Sequence, residues 1–416
     1  MPDTTLSIQE KAWYGDSETT ISFPERWSVQ ECRMNGHDTP ALTDTEIVSA
    51  LNTPYDSPTL AEIAKGRTQA VIMFDDLTRP APTSRILPFI LEILQEAGFD
   101  DDHIRFVGAF ANHAAMSRED FSKKLGCEVM ERFRVYNHNP YEHHVDLGTT
   151  SNGTPILVNR EVMACDLKIG IGGLIPHPGA GFGGGGKLVF PGVMSIDSVA
   201  HNHGEIPRPP TSSATGMLGI VEGNVIRADI EEAVGTVGLD MKIDLLINNR
   251  RELVGVFAGD FVAQHRAGVA RARELYATPC PKEMDIVVCN TYPIENQATK
   301  GVWPGRVSLK VGGTAVVITQ SIEGQAMHYL TGRFGSDYGG RLWTPSKAGI
   351  PSAERVIVYS EYLSRTDLDR FGPAETVIGC RTWAEVLSHL GTAYPGDAQV
   401  AVYPCAAIQC PDDLEN

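Results

Sequence analysis

Apolar runs that end in polar residues recur along this chain of 416 residues. Residues 70–74 read AVIMF and lead into DDLTR, residues 104–111 read IRFVGAFA and lead into NH, and residues 167–175 read LKIGIGGLI and lead into PH. Helical spacing of apolar residues follows the first run, and a capped helix pattern follows the second. Strands that alternate with helices predict an α/β fold with a mostly parallel sheet. Because such folds bind ligands beyond the carboxyl ends of their strands, chemistry is expected at the polar tips.

A second block of the same kind begins near residue 280, where EMDIVVCN precedes another polar loop. A helical pattern over 267–277 and then two prolines in TPCPKE indicate a domain boundary. We therefore predict two α/β domains, 1–278 and 279–416, with mostly parallel sheets and the active site in the cleft between them. In this arrangement the C-terminal tail can pack back on the first domain. Alternating residues around Pro24, in the stretch 11–32, predict a small hairpin at the start.

Charge and composition exclude several classes of protein. The net charge is −17, and the chain lacks the basic stripe that is typical of nucleic-acid-binding proteins. The first residues lack the apolar core of a signal peptide, and no run reaches the roughly 18 apolar residues that a membrane span needs. The eight cysteines are scattered without a C-x-x-C pair. We expect a cytoplasmic protein with reduced thiols, in which Cys405 and Cys410 would pair only in an oxidising compartment.

Residues 181–189, GFGGGGKLV, first suggest a phosphate-binding P-loop. Gly181, Gly186 and Lys187 fit the G-x-x-x-x-G-K pattern, but Leu188 stands where a serine or threonine would hold magnesium. The residues alone leave three interpretations of Lys187 open: a flexible surface loop, a phosphate-binding lysine, or a lysine that forms a covalent bond.

Several residues near the strand tips can carry chemistry. An ordinary hydrogen-bonded loop residue is the simplest interpretation of His113, His177, His201 and His203 individually, but histidine is also the usual acid/base group and the commonest metal ligand. The H-x-H pair of His201 and His203 is a weak metal signal.

Two further pairs of residues have both a structural and a functional interpretation. Asp76 and Arg79 fit a helix cap beside a surface arginine, or an arginine fork aimed at a carboxylate. Gln297 and Lys300, taken by themselves, fit a solvated helix face.

Taken in order, the motifs of this chain resemble those of the nickel-dependent lactate racemase family, which contains 2-hydroxyacid racemases and epimerases. The resemblance covers nearly the whole chain, and its most specific part fixes a histidine and Lys187 ten residues apart and a second histidine sixteen residues later. The matching stretches are WYGDSETTISFPERW, DDLTRPAP, GAFANHAAMS, VYNHN, PHPGAGFGGGGKLVFPG, AHNH and NTYPIENQATKG.

The resemblance implies a nickel-pincer nucleotide, a nicotinic-acid-derived mononucleotide with two sulfur ligands, tethered to the protein through a lysine thioamide. Lys187 would be the tether, and His203 would be the nickel ligand. Gly181, Gly184 and Gly185 would let the backbone approach the nucleotide. The other residues that match family site positions are His113 and His177 as acid/base groups, Asp76 as an active-site aspartate, and Arg79, Gln297 and Lys300 as substrate contacts. The first domain would bind the cofactor, and the second would contribute substrate contacts.

The activity that the resemblance implies is inversion of Cα of a 2-hydroxy acid by reversible hydride transfer, through a planar 2-keto acid. A histidine on each side of the substrate would serve either enantiomer. The implied partners are a small anionic 2-hydroxy acid and the enzymes that make the cofactor, with a homo-oligomer left open. Three departures, Asn296 in place of a tyrosine, Ala114 in place of an arginine, and Pro178 after His177, would alter the pocket wall. They favour another 2-hydroxy acid at least as much as lactate.

Two other classes of function compete with this interpretation. A zinc-type hydrolase would use His113, His177 and His203 to activate water, but the chain has no H-E-x-x-H motif and this class gives no reason for a lysine among glycines. A non-catalytic nucleotide-binding protein would tolerate replacement of His113 and His177.

Overall fold

The computed structural model describes residues 4–207, 215–335, 337–344 and 349–413. In chain order the strands are β1 Thr4–Glu10, β2 Ser17–Phe23, β3 Trp27–Glu31, β4 Ala70–Phe74, β5 Ile104–Gly108, β6 Arg134–Asn137, β7 His144–Thr149, β8 Pro155–Asn159, β9 Leu167–Gly173, β10 Pro176–His177, β11 Gly181–Phe182, β12 Met241–Ile247, β13 Leu253–Gly259, β14 Ala277–Thr278, β15 Met284–Asn290, β16 Leu309–Ile318, β17 Ala353–Tyr359, β18 Val377–Cys380, β19 Ala398–Tyr403 and β20 Cys410–Pro411.

Helices lie between most of these strands. In chain order they are α1 Asp44–Asn52, α2 Leu60–Ala64, α3 Leu87–Glu96, α4 Arg118–Leu125, α5 Cys127–Arg132, α6 Arg160–Met163, α7 Ile196–Gly204, α8 Val225–Val237, α9 Ala263–Tyr276, α10 Trp303–Val307, α11 Arg365–Leu368 and α12 Trp383–Ala393. Short 3₁₀ helices lie at Thr83–Arg85, Asp101–His103, Gly185–Leu188 and Glu295–Gly301.

Two six-stranded sheets form the framework of the fold. The first has the order β13-β12-β9-β4-β5-β6, and all its pairings are parallel except that of β12 with β13. The second has the order β18-β17-β16-β15-β19-β3 and is parallel throughout. The predicted α/β class with mostly parallel sheets is confirmed.

Strand β4 shows why its sequence is continuously apolar. All five residues of AVIMF are buried. Ile72 and Phe74 pack into one core together with α3, whereas Val71 and Met73 pack into a second core together with α7 and α8. Because a central parallel strand is covered by helices on both faces, it has no solvent-facing side that would favour polar residues.

The N-terminal segment differs from the sequence prediction. The hairpin is formed by β1 and β2, and therefore begins before the predicted stretch. After Pro24 the chain leaves the hairpin, and β3 pairs with β19 in the second sheet. The second sheet thus includes residues that precede the predicted boundary at 278/279, and that boundary remains a prediction. The tail strand β20 pairs with β14.

Two other sequence expectations concern cysteines and membranes. Cys405 and Cys410 are both buried free thiols. Within the described ranges, no helix combines the length and the apolar character that crossing a membrane would require.

Candidate active site

A pocket of about 120 Å³ lies beyond the carboxyl ends of β4, β5 and β9. Loops from the second sheet also reach it, through the 3₁₀ helix Glu295–Gly301 and the segment that follows β16. Its polar lining side chains are Asp75, Asp76, Arg79, His113, His177, Lys187, His203, Lys242, Gln297, Lys300 and His328. The polar tips that the sequence singled out therefore meet in one pocket.

Asp76, which follows β4, orients the imidazole ring of His113. Asp76 Oδ2 lies 2.5 Å from His113 Nδ1, and Asp76 Oδ1 accepts hydrogen bonds from the backbone N–H and the hydroxyl of Thr78. Burial raises the pKa of Asp76, but the charges of His113 and Arg79 and these hydrogen bonds outweigh it and hold the pKa well below its usual range. An ionised Asp76 accepts the Nδ1–H of His113, which leaves Nε2 as a proton acceptor.

His177 carries its proton on the other ring nitrogen from His113. Its Nδ1 accepts hydrogen bonds from the backbone N–H groups of Gly179 and Ala180, at 3.1 and 3.2 Å. A backbone N–H can only donate, so the ring carries its proton on Nε2. Burial, followed by the charges of Lys187 and Lys300, lowers the pKa of His177 well below its usual value. In this arrangement His177 is a neutral hydrogen-bond donor.

Arg79 and Lys300 bring two basic side chains to the pocket, from loops of the two sheets. Arg79 Nη1 donates to Thr78 Oγ1 at 2.7 Å and lies 3.4 Å from Gln297 Oε1. Lys300 Nζ is buried and has no hydrogen-bond partner within the described part of the chain. Burial, followed by the charge of Arg79, lowers the pKa of Lys300 well below its usual value. An anionic group between these side chains would accept hydrogen bonds from both.

The loop that carries Arg79 is held by a buried lysine. Lys124 donates to the backbone carbonyls of Arg79 and Ala81, at 2.8 and 3.0 Å, and forms an ion pair with Asp75. Asp75 in turn accepts a hydrogen bond from the N–H of Gly173 at 2.7 Å, which joins the ends of β4 and β9.

The glycine loop presents Lys187 to the same pocket. Gly184 has φ 68° and ψ −169°, a conformation that is essentially restricted to glycine. Burial, followed by the charges of Arg227 and Arg79, lowers the pKa of the Lys187 amine well below its usual value. A lysine with a lowered pKa is neutral more often and is therefore a better nucleophile.

Arg227 on α8 fixes the conformation of this loop. Its guanidinium donates to the backbone carbonyls of Ala180, Phe182, Gly183 and Gly184. His265 Nε2 also lies 2.9 Å from the carbonyl oxygen of Gly183. The loop therefore has a defined shape and is not a flexible surface segment.

The predicted cofactor glycines occupy two different positions. Gly184 lines the pocket. Gly181 and Gly185 are not among the lining residues. A Cβ at these positions would lie 2.2 Å from the carbonyl oxygen of Ile220 and 2.9 Å from the ring of His265, respectively. Their lack of a side chain is explained by packing within the protein, and a cofactor contact for them remains a prediction.

His203 reaches the pocket from α7, whereas His201 points away from it. His201 Nδ1 lies 2.9 Å from Thr154 Oγ1, in a network around the buried Asp229. The structure therefore separates the H-x-H pair.

The three histidines of the alternative zinc site do not lie together as metal ligands. Among the described residues, a group of three or more potential metal ligands within 4.8 Å of one another occurs only at Cys280, Asp412 and Asp413. His113, His177 and His203 do not form such a group, so the geometry does not favour the hydrolase alternative.

Sequence reasoning missed His328, Arg227 and His265. His328 lines the pocket from the segment after β16, and Arg227 and His265 hold the glycine loop. None of them lies at the end of a predicted strand or in a quoted motif, and only the folded chain brings them to the site.

Comparisons with known proteins show what the whole chain is similar to. A family model described as the lactate racemase N-terminal domain matches residues 14–214. The lactate racemase of Lactiplantibacillus plantarum is 29% identical over 292 residues, which are 68% of this chain and 68% of that protein. The lactate racemase of Thermoanaerobacterium thermosaccharolyticum is 25% identical over 321 residues, which are 75% of this chain and 74% of that protein.

Solved structures with lower identity show the same fold. The lactate racemase apoprotein of Thermoanaerobacterium thermosaccharolyticum has a TM-score of 0.75 at 21% identity, and the match covers 98% of this chain and 100% of that one. A protein from Thermotoga maritima has a TM-score of 0.65 at 16% identity, with 88% and 97% covered. The domain match covers just under half of the chain, and together with the two relatives it makes this chain similar to the lactate racemases and supports an isomerase of the racemase type; the solved structures add the shared fold.

Proposed function

We propose that this protein inverts Cα of a 2-hydroxy acid, as a racemase or epimerase, with a nickel-pincer nucleotide attached to Lys187. The observation that carries the proposal is the convergence in one pocket of the His113–Asp76 pair and a lysine amine whose pKa is lowered by burial and neighbouring cations. A proton acceptor beside an anion-binding group suits a hydroxy acid, and a nucleophilic lysine suits a covalent cofactor.

The residues present fit the proposed cofactor. The pocket offers the Lys187 amine for a thioamide bond, His203 as a nickel ligand, and close backbone approach at Gly183 and Gly184. Imidazole is a ligand that suits nickel, so His203 would add a protein donor to the sulfur ligands of the cofactor. When bound, this group would supply reversible hydride-acceptor chemistry at the substrate Cα.

The protein's own residues would bind the substrate and move its proton. Arg79 and Lys300 would hold the carboxylate through charge-assisted hydrogen bonds, with Gln297 beside them. His113 would take the hydroxyl proton at Nε2, and the ionised Asp76 would stabilise the resulting imidazolium. Return of the hydride to the other face of Cα and of a proton to the oxygen completes the inversion.

His177 is proposed as the second acid/base group. In the observed arrangement it offers an Nε2–H to the substrate oxygen. To accept a proton at Nε2, the ring must first carry a proton on Nδ1, and its bonds to Gly179 and Ala180 must open. The two histidines would therefore serve the two enantiomers in different ways. We also propose that the substrate binds between the two predicted domains, since loops from both sheets line the pocket.

Peptide mass spectrometry tests the cofactor assignment first. The protein would be co-expressed with the family's cofactor-making enzymes and nickel, and the peptide containing Lys187 would be searched for a nucleotide-sized adduct. We expect the adduct in the wild type, in Lys310→Ala as a surface-lysine control, and not in Lys187→Ala. An unmodified Lys187 under conditions that load a known family member would refute the covalent assignment. Racemisation of a panel of chiral 2-hydroxy acids then tests the activity.

A further inference from the structure

His328 reaches the site from the segment between β16 and β17. Its neighbours pair with the loop that carries His113: the N–H of Ala114 donates to the carbonyl of Met327 at 3.0 Å, and the N–H of Tyr329 donates to the carbonyl of Asn112 at 2.7 Å. The rings of His113 and His328 are consequently 5.1 Å apart and meet edge to face at 65°. A segment from the second sheet thus fixes a further histidine beside the proposed base.

Local hydrogen bonds determine where His328 carries its proton. The backbone N–H groups of Leu330 and Thr331 both donate to His328 Nδ1, at 3.2 Å each. Nδ1 is therefore an acceptor, and the proton lies on Nε2. Burial, followed by the charge of His113, lowers the pKa of His328 to about 3, so the ring is neutral near pH 7. In the described ranges, no hydrogen bond uses His328 Nε2, which leaves a donor at the pocket wall.

The other polar parts of the proposed substrate already have partners. The carboxylate would be bound by Arg79 and Lys300, and the hydroxyl group by His113 and His177. The remaining variable part of a 2-hydroxy acid is its side chain. An oxygen on that side chain would accept the Nε2–H of His328, whereas an alkyl group would leave this donor unpaired at a cost in binding.

We propose that His328 is a substrate-binding residue that selects 2-hydroxy acids with an oxygen acceptor, a hydroxyl or a carboxylate, on the side chain. This inference rests on the proposed function and deepens it by naming the substrate class. Asn296 is not among the lining residues, and its side-chain amide donates to Glu323 at 3.1 Å. The inference therefore assigns substrate selection to His328 and not to Asn296.

Two pairs of substrates with matched shapes test the proposal. Glycerate differs from 2-hydroxybutyrate by a hydroxyl in place of a methyl group, and malate differs from 2-hydroxyisocaproate by a carboxylate in place of an isopropyl group. For the cofactor-loaded wild type we expect kcat/KM to favour the oxygen-bearing acid by about tenfold or more in at least one pair. Equal values in both pairs, or a preference for the alkyl acids, would overturn the proposal.

Two variants separate substrate recognition from a structural role of His328. His328→Asn places an amide oxygen where Nδ1 accepts the two backbone N–H groups, but removes the Nε2–H. His328→Gln places an N–H donor near the Nε2 position. We expect the asparagine variant to lose the preference while it still turns over the alkyl acids, the glutamine variant to retain part of it, and the exposed His389→Phe control to match the wild type. An unchanged preference in His328→Asn would overturn the proposal.

Binding without turnover distinguishes failure of this inference from failure of the proposed function. In protein labelled with ¹⁵N-histidine, the His328 ring, assigned through His328→Asn, should show the Nε2–H tautomer. Its Nε2 signal should shift when glycerate or malate is added, and less with the alkyl acids. Loaded protein that binds in this way but racemises none of the four acids would refute the proposed function alone. A His328 signal that responds to none of them would refute the role of His328.

Discussion

Replacement of Asp76 by asparagine tests the base of the proposed mechanism. Oδ1 of Asp76 accepts hydrogen bonds from the Thr78 N–H at 3.0 Å and from Thr78 Oγ1 at 2.6 Å, and Oδ2 faces His113 Nδ1 at 2.5 Å. Since the Thr78 N–H can only donate, the new amide oxygen would stay beside it, and the new NH₂ would face His113. His113 would then hold its proton on Nε2 and could not accept the substrate's proton there.

The size of the effect follows from these contacts. Turning the amide over would set its NH₂ against the Thr78 N–H in a buried position, at a cost of about 1–3 kcal/mol, so the wrong tautomer would be favoured by about 5- to 150-fold. The variant also lacks the charge that stabilises imidazolium. The equivalent aspartate-to-asparagine change in serine proteases lowers kcat by about 10⁴-fold. We therefore expect kcat to fall by about 10³- to 10⁴-fold, or roughly 4–5.5 kcal/mol in the barrier.

The assay compares loaded enzymes only. Racemisation would be followed by chiral chromatography after mass spectrometry has shown equal loading of Lys187 in the variant and the wild type. Glu128→Gln is the matched control, because Glu128 is an exposed carboxylate paired with Arg132 at 2.7 Å, and we expect it to leave kcat unchanged. A fully loaded Asp76→Asn enzyme that keeps kcat within tenfold of the wild type would refute the argument from the tautomer.

Two further predictions concern the framework of the site. Gly184→Ala places a Cβ 2.6 Å from Asp244 Oδ2, in a backbone conformation that favours glycine, so we expect urea denaturation to show a loss of about 2 kcal/mol or more in unfolding free energy. Gly396→Ala is the control, because a Cβ at that position meets open space, and we expect little change there. Equal stability of the two variants would contradict this prediction. Burial raises the pKa of Glu295 from its ordinary value to about 7, so the native state binds this proton more tightly than the unfolded chain, and ionisation of Glu295 destabilises the fold as pH rises toward 7. Both carboxylate oxygens of Glu295 accept a backbone N–H, from Lys11 at 2.9 Å and from Ala12 at 2.7 Å, so the glutamine NH₂ would face one of these donors and lower the stability at every pH. On top of this constant loss, we expect the stability of Glu295→Gln to rise relative to the wild type by up to about 3 kcal/mol between pH 5 and pH 8, and a stability difference that does not change with pH would exclude this source of pH dependence.

Local patterns were sufficient to predict the strands around the site. Strand β4 is apolar at every position because both its faces are covered, and Asp75 and Asp76 follow it because the sheet ends there. Strand β3 could not be predicted in the same way. Its five residues look like part of a hairpin, but they pair with β19, which follows hundreds of residues later in the chain. Such a pairing depends on which sheet edge is open in the folded protein, and no short window of sequence contains that information.

The candidate site shows the same division between local and long-range information. Motif order predicted that Asp76, His113 and Lys187 act together, and the structure places all three in one pocket. No comparable signal marks Arg227, which resembles any helical arginine until α8 packs beside the glycine loop. His328 has no local signal either, since its place beside His113 depends on contacts between loops of the two sheets.

The proton positions on the histidines were equally inaccessible to the sequence, and they bear on how a racemase treats two enantiomers. His113 faces a carboxylate and can accept a proton at Nε2, whereas His177 faces two backbone N–H groups and can donate from Nε2. An enantiomer that gives its hydroxyl proton to His177 must first open those two bonds. In a racemase the equilibrium constant is one, so kcat/KM must be equal for the two enantiomers whatever the asymmetry of the site. The unequal histidines can therefore change kcat and KM between the enantiomers only in equal proportion, and racemisation would still run to equal amounts.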